Sequence, residues 1–509
     1  MKNVLQKFKK ETIISIGICV AAAFGFLLFC SRSSFLYGFN NWDDANSYFS
    51  MGKLMMNGGV IYRDLFDQKG PLLYFIYGIG YLLSNTGFHG VFGLEVIALS
   101  VVLFFAYRFC RLYAGMYTSL LAVLLLGVAV TVSKSFYWGG SAEEFCLPFL
   151  AVGFYLSVKY FKEDYPENMS PKCVFLCGVM AGCIMLIKYT GLGFYFAFMG
   201  MIALMNLTKK NWKRSIGNCL VFLTGMFAPA LPWLIYFGLH GALDDWYQCY
   251  IYCNVFLYSD FYVEKVSLGE KIYNLAKILY WLILDNAVYF VPMIAGFAAI
   301  LFSKKHKWYE KVNVYALFGF LFLGIYIGGT TLFYYSLPLT ILSVPGFLVL
   351  ARGLVFFVKK IFKGNLLAGQ KVRFCGILAV FFLCLGLCRI LSMNTEYQKQ
   401  GKEELFLYDF AEIVKKEENP TLLNIGCLDA GLYTMADIMP TCRYFQSNAV
   451  HGFDEVFEEQ KRYITQGQTT FVLARNSYPD EIWEKYEMVC ERDYQIMDAN
   501  LTYYLFQRK

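Results

Sequence analysis

The sequence predicts an all-α polytopic membrane protein that ends in a small α/β domain, and three observations carry the prediction. Of its 509 residues, 58% are hydrophobic, 19% aromatic and only 16% charged, whereas a soluble chain carries roughly 25% charged residues. Apolar runs long enough to cross about 30 Å of hydrocarbon recur through the first 392 residues. Lys and Arg fall in short clusters between those runs, as in cytoplasmic loops. In lipid every backbone N–H and C=O must be paired internally, so the runs read as helices.

The elements follow in order. Lys2, Lys7, Lys9 and Lys10 place residues 1–11 in the cytoplasm. The run 12–30 is longer than a signal-peptide core and lacks a small-residue cleavage site, so it reads as a retained signal anchor. The run 88–107 ends at Arg108 and Arg111, which belong inside, so residues 31–87 have both ends outside. Pro71–Leu83 is then too short, at 1.5 Å per residue, to be a crossing, and reads as a surface helix in this first outer loop. Further crossings are expected near 112–132, 144–161, 173–187, 190–206, 216–238, 285–303, 312–328, 332–351 and 374–392, with outer loops 133–143 and 239–284. The returns land on Lys159, Lys162 and Lys172, on Lys209, Lys210, Lys213 and Arg214, on Lys304, Lys305 and Lys307, and on Lys359, Lys360 and Lys363. That makes about eleven transmembrane helices in a multi-pass plasma-membrane protein, N-terminus cytoplasmic and C-terminus extracytoplasmic. Residues 1–394 form the transmembrane domain and 395–509 an outer soluble domain, where 403–416 reads as an amphipathic helix and 421–426, 470–474 and 503–507 as strands.

Several function classes drop out. The net charge of +7 resides in the loop clusters and is no nucleic-acid signal. Most of the 16 Cys lie inside apolar runs as small hydrophobes. Cys427, Cys442 and Cys490 in the tail allow one bridge, not a framework. His89, His240, His306 and His451 are too scattered for a His-based metal site, and no nucleophile elbow or phosphate-binding Gly loop is present.

Chemistry concentrates at the outer boundary. Residues 40–71 hold Asp43, Asp44, Arg63, Asp64, Asp67 and Lys69 between two membrane-associated helices. A carboxylate in a groove shielded from water can serve as a general base, and nearby cations can hold a phosphate. Ordinary surface ion pairs are the other reading. Glu143 and Glu144 open a helix on its outer side, where they either complement the dipole or meet a ligand. Lys188, between two crossings, either snorkels or contacts a phosphate. The aromatic segment 333–338, with Tyr334 and Tyr335, either lines a cavity or anchors the interface.

The stretch DANSYFSMGKLMMNGGVIYRDLFDQKGPLLYF, from Asp44 onward, resembles the first outer loop of the C-type (GT-C) membrane glycosyltransferases. It is most similar to the bacterial branch related to aminoarabinose transferases and protein O-mannosyltransferases. The matching positions are Asp44, Tyr48, Gly52, Tyr62, Arg63, Asp64, Phe66, Asp67, Lys69, Gly70 and Pro71. GGSAEEFCLPF resembles the second acidic motif, with Glu143 at the acidic position and Ala142 where Thr is common, and LIKYTG places Lys188 at a basic one. The resemblance implies a GT-C-like fold and an inverting transfer of one sugar from a polyprenyl-phosphate donor to a glycan, lipid or protein acceptor at the outer face. It implies Asp44 as the base and Glu143 as its assistant, orienting the acceptor or sharing with Asp44 a divalent cation such as Mg or Mn. Arg63, Lys69 and Lys188 would hold the lipid phosphate, and Asp43, Tyr62, Asp64, Asp67, Glu144, Tyr334 and Tyr335 would line the substrate site. No nucleic acid is an expected partner. A transporter or flippase of lipid-linked saccharides would share the helices, but usually places its ionisable groups near mid-membrane. A structural or signalling membrane protein would leave the YRDLFDQKGP block unused.

Overall fold

The structure, a computed structural model, describes residues 2–257, 267–329, 331–361, 369–401, 404–447, 454–496 and 499–509. Expectations resting on Lys363, Glu403 and His451, and on the side chains of Lys2, Lys7 and Lys9, lie outside those residues. The chain forms two compact units. One comprises Met1–Ser31, Glu95–Leu231 and Val266–Thr395, and the other Arg32–Leu94, Pro232–Lys265 and Glu396–Lys509.

The first unit is helical throughout its described length. Among the described residues of the chain, seven helices are long and apolar enough to cross a membrane, or eight if one bent pair is a single span. The count of about eleven included Met116–Thr131 and Pro171–Met185, which are apolar but only 16 and 15 residues long. It also included Trp308–Tyr326, whose 19 residues open with Glu310 and Lys311. The bent pair is Leu268–Asp285 and Ala287–Phe302, turning by 111°. The buried Asn286 sits at the turn, and its Oδ1 accepts from the Ser135 N–H at 3.1 Å. Residues 268–284 of the expected outer loop 239–284 are therefore helix, started by a Ser267–Glu270 capping box.

The second unit holds residues 32–94 and the C-terminal residues together. Its helices Asp43–Met56 and Pro71–Leu83 cross so closely that a Cβ on Gly52 would lie 2.7 Å from the Tyr74 carbonyl oxygen. Pro at the first helical position and no acceptable crossing length make Pro71–Leu83 a short, self-contained element. A four-stranded sheet of order β1-β2-β4-β3 is built from β1 Leu422–Ile425, β2 Phe471–Arg475, β3 Tyr486–Ile496 and β4 Ala499–Arg508. The pair β1–β2 is parallel, which requires a crossover, and the helix Asp454–Gln466 supplies it. The other pairs are antiparallel. Phe406, on the helix Phe406–Val414, stacks on Tyr503 of β4 with ring centroids 3.9 Å apart. Strand β3 went unread in the sequence because a bulge between Met488 and Cys490 breaks its alternation. All 16 cysteines are free thiols, so the bridge that the tail cysteines allowed is not formed.

Candidate active site

Within the second unit, Asp43 and Asp44 occupy the first turn of the helix Asp43–Met56, where the dipole favours negative charge. Their neighbours differentiate them. Asp43 Oδ2 is held by Arg475 Nη1 at 3.0 Å, and burial nevertheless raises its pKa against that pull. Asp44 is half-buried, and Oδ2 accepts from the Tyr48 hydroxyl at 3.1 Å, one turn along the same helix. The helix continues with Ser50, which donates to Asp429 Oδ2 at 2.7 Å, and with the buried Lys53, which reaches Asp437 at 2.6 Å. Asp429 also accepts the Gly431 N–H at 2.8 Å, yet burial pushes its pKa up to about 7.

The remaining loop candidates mostly shape the loop. Tyr62 is fully buried in the left-handed region (φ 70°) and donates to the Lys69 carbonyl at 2.6 Å. Arg63 is exposed, with its guanidinium on Asp64 at 2.7 Å and on the His240 carbonyl at 3.1 Å. Asp64 in turn accepts the Val60 N–H at 2.7 Å. Asp67 is 4% exposed, accepts the Gln68 N–H at 2.8 Å, and has its pKa raised by burial, with Lys69 opposing. Lys69, half-buried, gives its N–H to the Tyr74 hydroxyl at 2.8 Å. From the C-terminal region, the Arg443 carbonyl accepts the Phe66 N–H at 2.9 Å, and its guanidinium donates to the Tyr62 carbonyl at 3.1 Å.

A second polar cluster lies in the first unit. Ser141 caps the helix Ala142–Lys159 by accepting the Glu144 N–H at 3.0 Å, which aligns Glu143 and Glu144 in the first turn. Glu143 Oε1 is hydrogen-bonded to Lys188 Nζ, and the pair is 4% and 13% exposed. The other oxygen, Glu143 Oε2, is buried without a hydrogen-bond partner among the described residues. The ammonium of Lys188 lies 3.6 Å from the centroid of the Tyr335 ring and 5.6 Å from that of Tyr334. Glu144 Oε2 accepts the Gly140 N–H at 2.8 Å, and its carboxyl stands beside that of Glu95. Glu95 is fully buried and accepts from Ser31 Oγ at 3.0 Å through both oxygens.

Four participants in these clusters escaped the sequence reading. Glu95 had a signal, a lone acid inside an apolar run, which in a membrane helix marks a polar partner. Arg443, Arg475 and Asp429 had none, because nothing local ties them to a loop some 400 positions earlier. Among the described residues no group of three or more His, Cys, Asp or Glu side chains is placed to hold a metal ion.

These features define a multi-pass membrane protein of GT-C fold, with buried ion pairs at helix ends and a carboxylate-rich loop. Residues 68–236 match the family described as dolichyl-phosphate-mannose-protein mannosyltransferase. The chain is structurally similar to ArnT from Cupriavidus metallidurans bound to undecaprenyl phosphate, at a TM-score of 0.62 and 12% identity, with 97% of each chain covered. It is likewise similar to the apo state of ArnT from the same organism, at a TM-score of 0.59, 13% identity and 97% coverage of each chain. No curated protein matches the sequence. The resemblance to the GT-C superfamily read from the loop motif is thus met independently by a family match and by the fold.

Proposed function

We propose that this protein transfers one monosaccharide from a polyprenyl-phosphate donor to an acceptor at the outer face of the plasma membrane, in cell-surface glycan synthesis. The family match over residues 68–236 supports a glycosyltransferase, and the shared fold with ArnT, which binds undecaprenyl phosphate, supports a lipid-phosphate donor. The observation that carries the reading is Lys188, an ammonium largely withdrawn from water, held by Glu143 and covered by the Tyr335 ring. Withdrawing a cation this far from solvent is costly; Glu143 offsets that cost here, and charge held in so dry a site acts strongly on an anion brought beside it.

The acceptor hydroxyl gives its proton to Asp44, and its oxygen attacks the anomeric carbon. The bond from that carbon to the phosphate oxygen breaks with its electron pair leaving on the phosphate, and the anomeric configuration inverts. Tyr48, donating to the Asp44 carboxylate, orients it for the transfer. Lys188 neutralises the departing phosphate, with Lys69 as a second cation. Arg63, committed to Asp64 and His240, serves the loop. The N-terminus is cytoplasmic and the C-terminal region extracytoplasmic. A lipid-linked saccharide transporter is the alternative, but Glu143 and Glu144 begin their helix rather than interrupt one.

Asp44→Asn is the test. With a polyprenyl-phosphate sugar supplied to the purified protein, transfer falls by about 100-fold or more while the melting temperature stays unchanged. Retention of full transfer would remove Asp44 as the base.

A further inference from the structure

At one end of the first unit, five segments surround a cavity of about 560 Å³, within the roughly 300–1,000 Å³ of small-molecule sites. The ends of the helices His89–Arg111 and Ala142–Lys159 contribute Phe109, Leu112 and Val158. Ala287–Phe302 and Val344–Ile361 contribute Ile300 and Leu348. The walls are thus apolar, and Val349 on the same lining is 37% exposed on the lipid-type surface of its helix.

The rim has the opposite character. Lys162, Lys305, Lys307 and Arg352 line it, against a single carboxylate, Glu310. That carboxylate is already engaged by His306 at 3.0 Å. Among the described residues Lys162, Lys305 and Lys307 are in no ion pair, and all three are exposed. Lys162 stands 4.9 Å from the centroid of the Tyr113 ring, and Arg352 donates to the Tyr113 carbonyl, so two cations converge on one wall. Scattered loop lysines that only set topology need no cavity between them. Here the uncompensated charge surrounds an apolar hollow at the ends of membrane-type helices.

We infer that this cavity binds an anionic phospholipid of the adjoining leaflet, its phosphate among Lys162, Lys305 and Lys307 and its chains along the apolar wall toward Val349. A basic pocket between transmembrane helices with an apolar exit suits a lipid phosphate better than a soluble one, which would leave the exposed wall wet. Neither Glu143 nor Lys188 lines the cavity, and binding there does not depend on the proposed reaction.

The experiment is native mass spectrometry of the full-length protein released from nanodiscs of equal phosphatidylglycerol and phosphatidylethanolamine. The wild type retains phosphatidylglycerol in preference. Each of Lys162→Ala, Lys305→Ala and Lys307→Ala lowers that retention by about fivefold, and the triple variant abolishes the preference. Lys213→Ala/Arg214→Ala, which removes exposed cations outside the cavity lining, leaves it intact. Equal retention of both lipids by the wild type, or equal losses in the triple and control variants, overturns the proposal. A melting temperature within a degree or so of wild type is expected for all variants, since every altered side chain is exposed.

Discussion

Lys188 and Glu143 show how a single pair can be structural and functional together. Removing one member leaves the other buried and uncompensated, at a cost of about 3–5 kcal/mol. Lys188→Met therefore lowers the melting temperature markedly, and Lys188→Met/Glu143→Gln recovers it. If the ammonium holds the donor phosphate, transfer stays lost in the recovered double variant; restored transfer would reduce the pair to a structural brace. Asp429 makes a separate prediction. Its carboxyl titrates near 7 in the folded protein and at about 3.9 when unfolded. The folded state thus binds the extra proton between those values, so the contribution of this group to stability is largest below about 4 and falls as pH rises toward 7. The full span corresponds to at most about 4 kcal/mol. Asp429→Asn should flatten the melting temperature against pH across this window, and an unchanged slope would show that another group is responsible.

At the scale of elements, the helix Asp43–Met56 positions the chemistry. It presents Asp43 and Asp44 at its first turn, Tyr48 one turn on, and Ser50 and Lys53 to the C-terminal region. Its position depends on Gly52, where a Cβ would meet the Gly78 amide nitrogen at 2.5 Å and the Tyr74 carbonyl at 2.7 Å. Backbone atoms cannot swing aside as side chains do. Gly52→Ala therefore pushes the two helices apart, costs about 1–3 kcal/mol, and lowers transfer by displacing Asp44. Melting and kcat measured on the same preparation check this, and a variant that melts normally with full activity would refute it. This Gly was visible in the sequence as part of a motif and Pro71–Leu83 as a helix, but the close crossing of the two was not.

At the scale of the molecule, residues 32–94 and the C-terminal region belong to one folded unit. Asp43–Arg475, Ser50–Asp429, Lys53–Asp437 and the Phe66–Arg443 backbone bond join them. Deleting residues 396–509 then reaches the loop itself. It strips Asp43 and Lys53 of their partners, so the truncated protein should lose transfer entirely and expose residues 40–71 to limited proteolysis. A truncated form that remains active would show the loop to be self-sufficient.

The sequence by itself determined the class of fold, because a backbone in lipid must be paired internally and continuous apolar runs of about 20 residues suit helices rather than alternating barrel strands. Its resemblance to a known loop motif named Asp44, Glu143 and Lys188 as candidates, where the cost of burying charge alone left ordinary ion pairs, a helix cap and snorkelling equally open. Tertiary structure decided what each charge is for. Arg63, Asp64 and Tyr62 read as ligand contacts, yet their hydrogen bonds go to the loop itself and, from Arg63, to the His240 carbonyl. Arg475 and Arg443 read as ordinary tail residues, yet they hold that loop's carboxylate and backbone. Local pattern reports which residues are expensive to bury, whereas long-range pairing decides which of them are already satisfied.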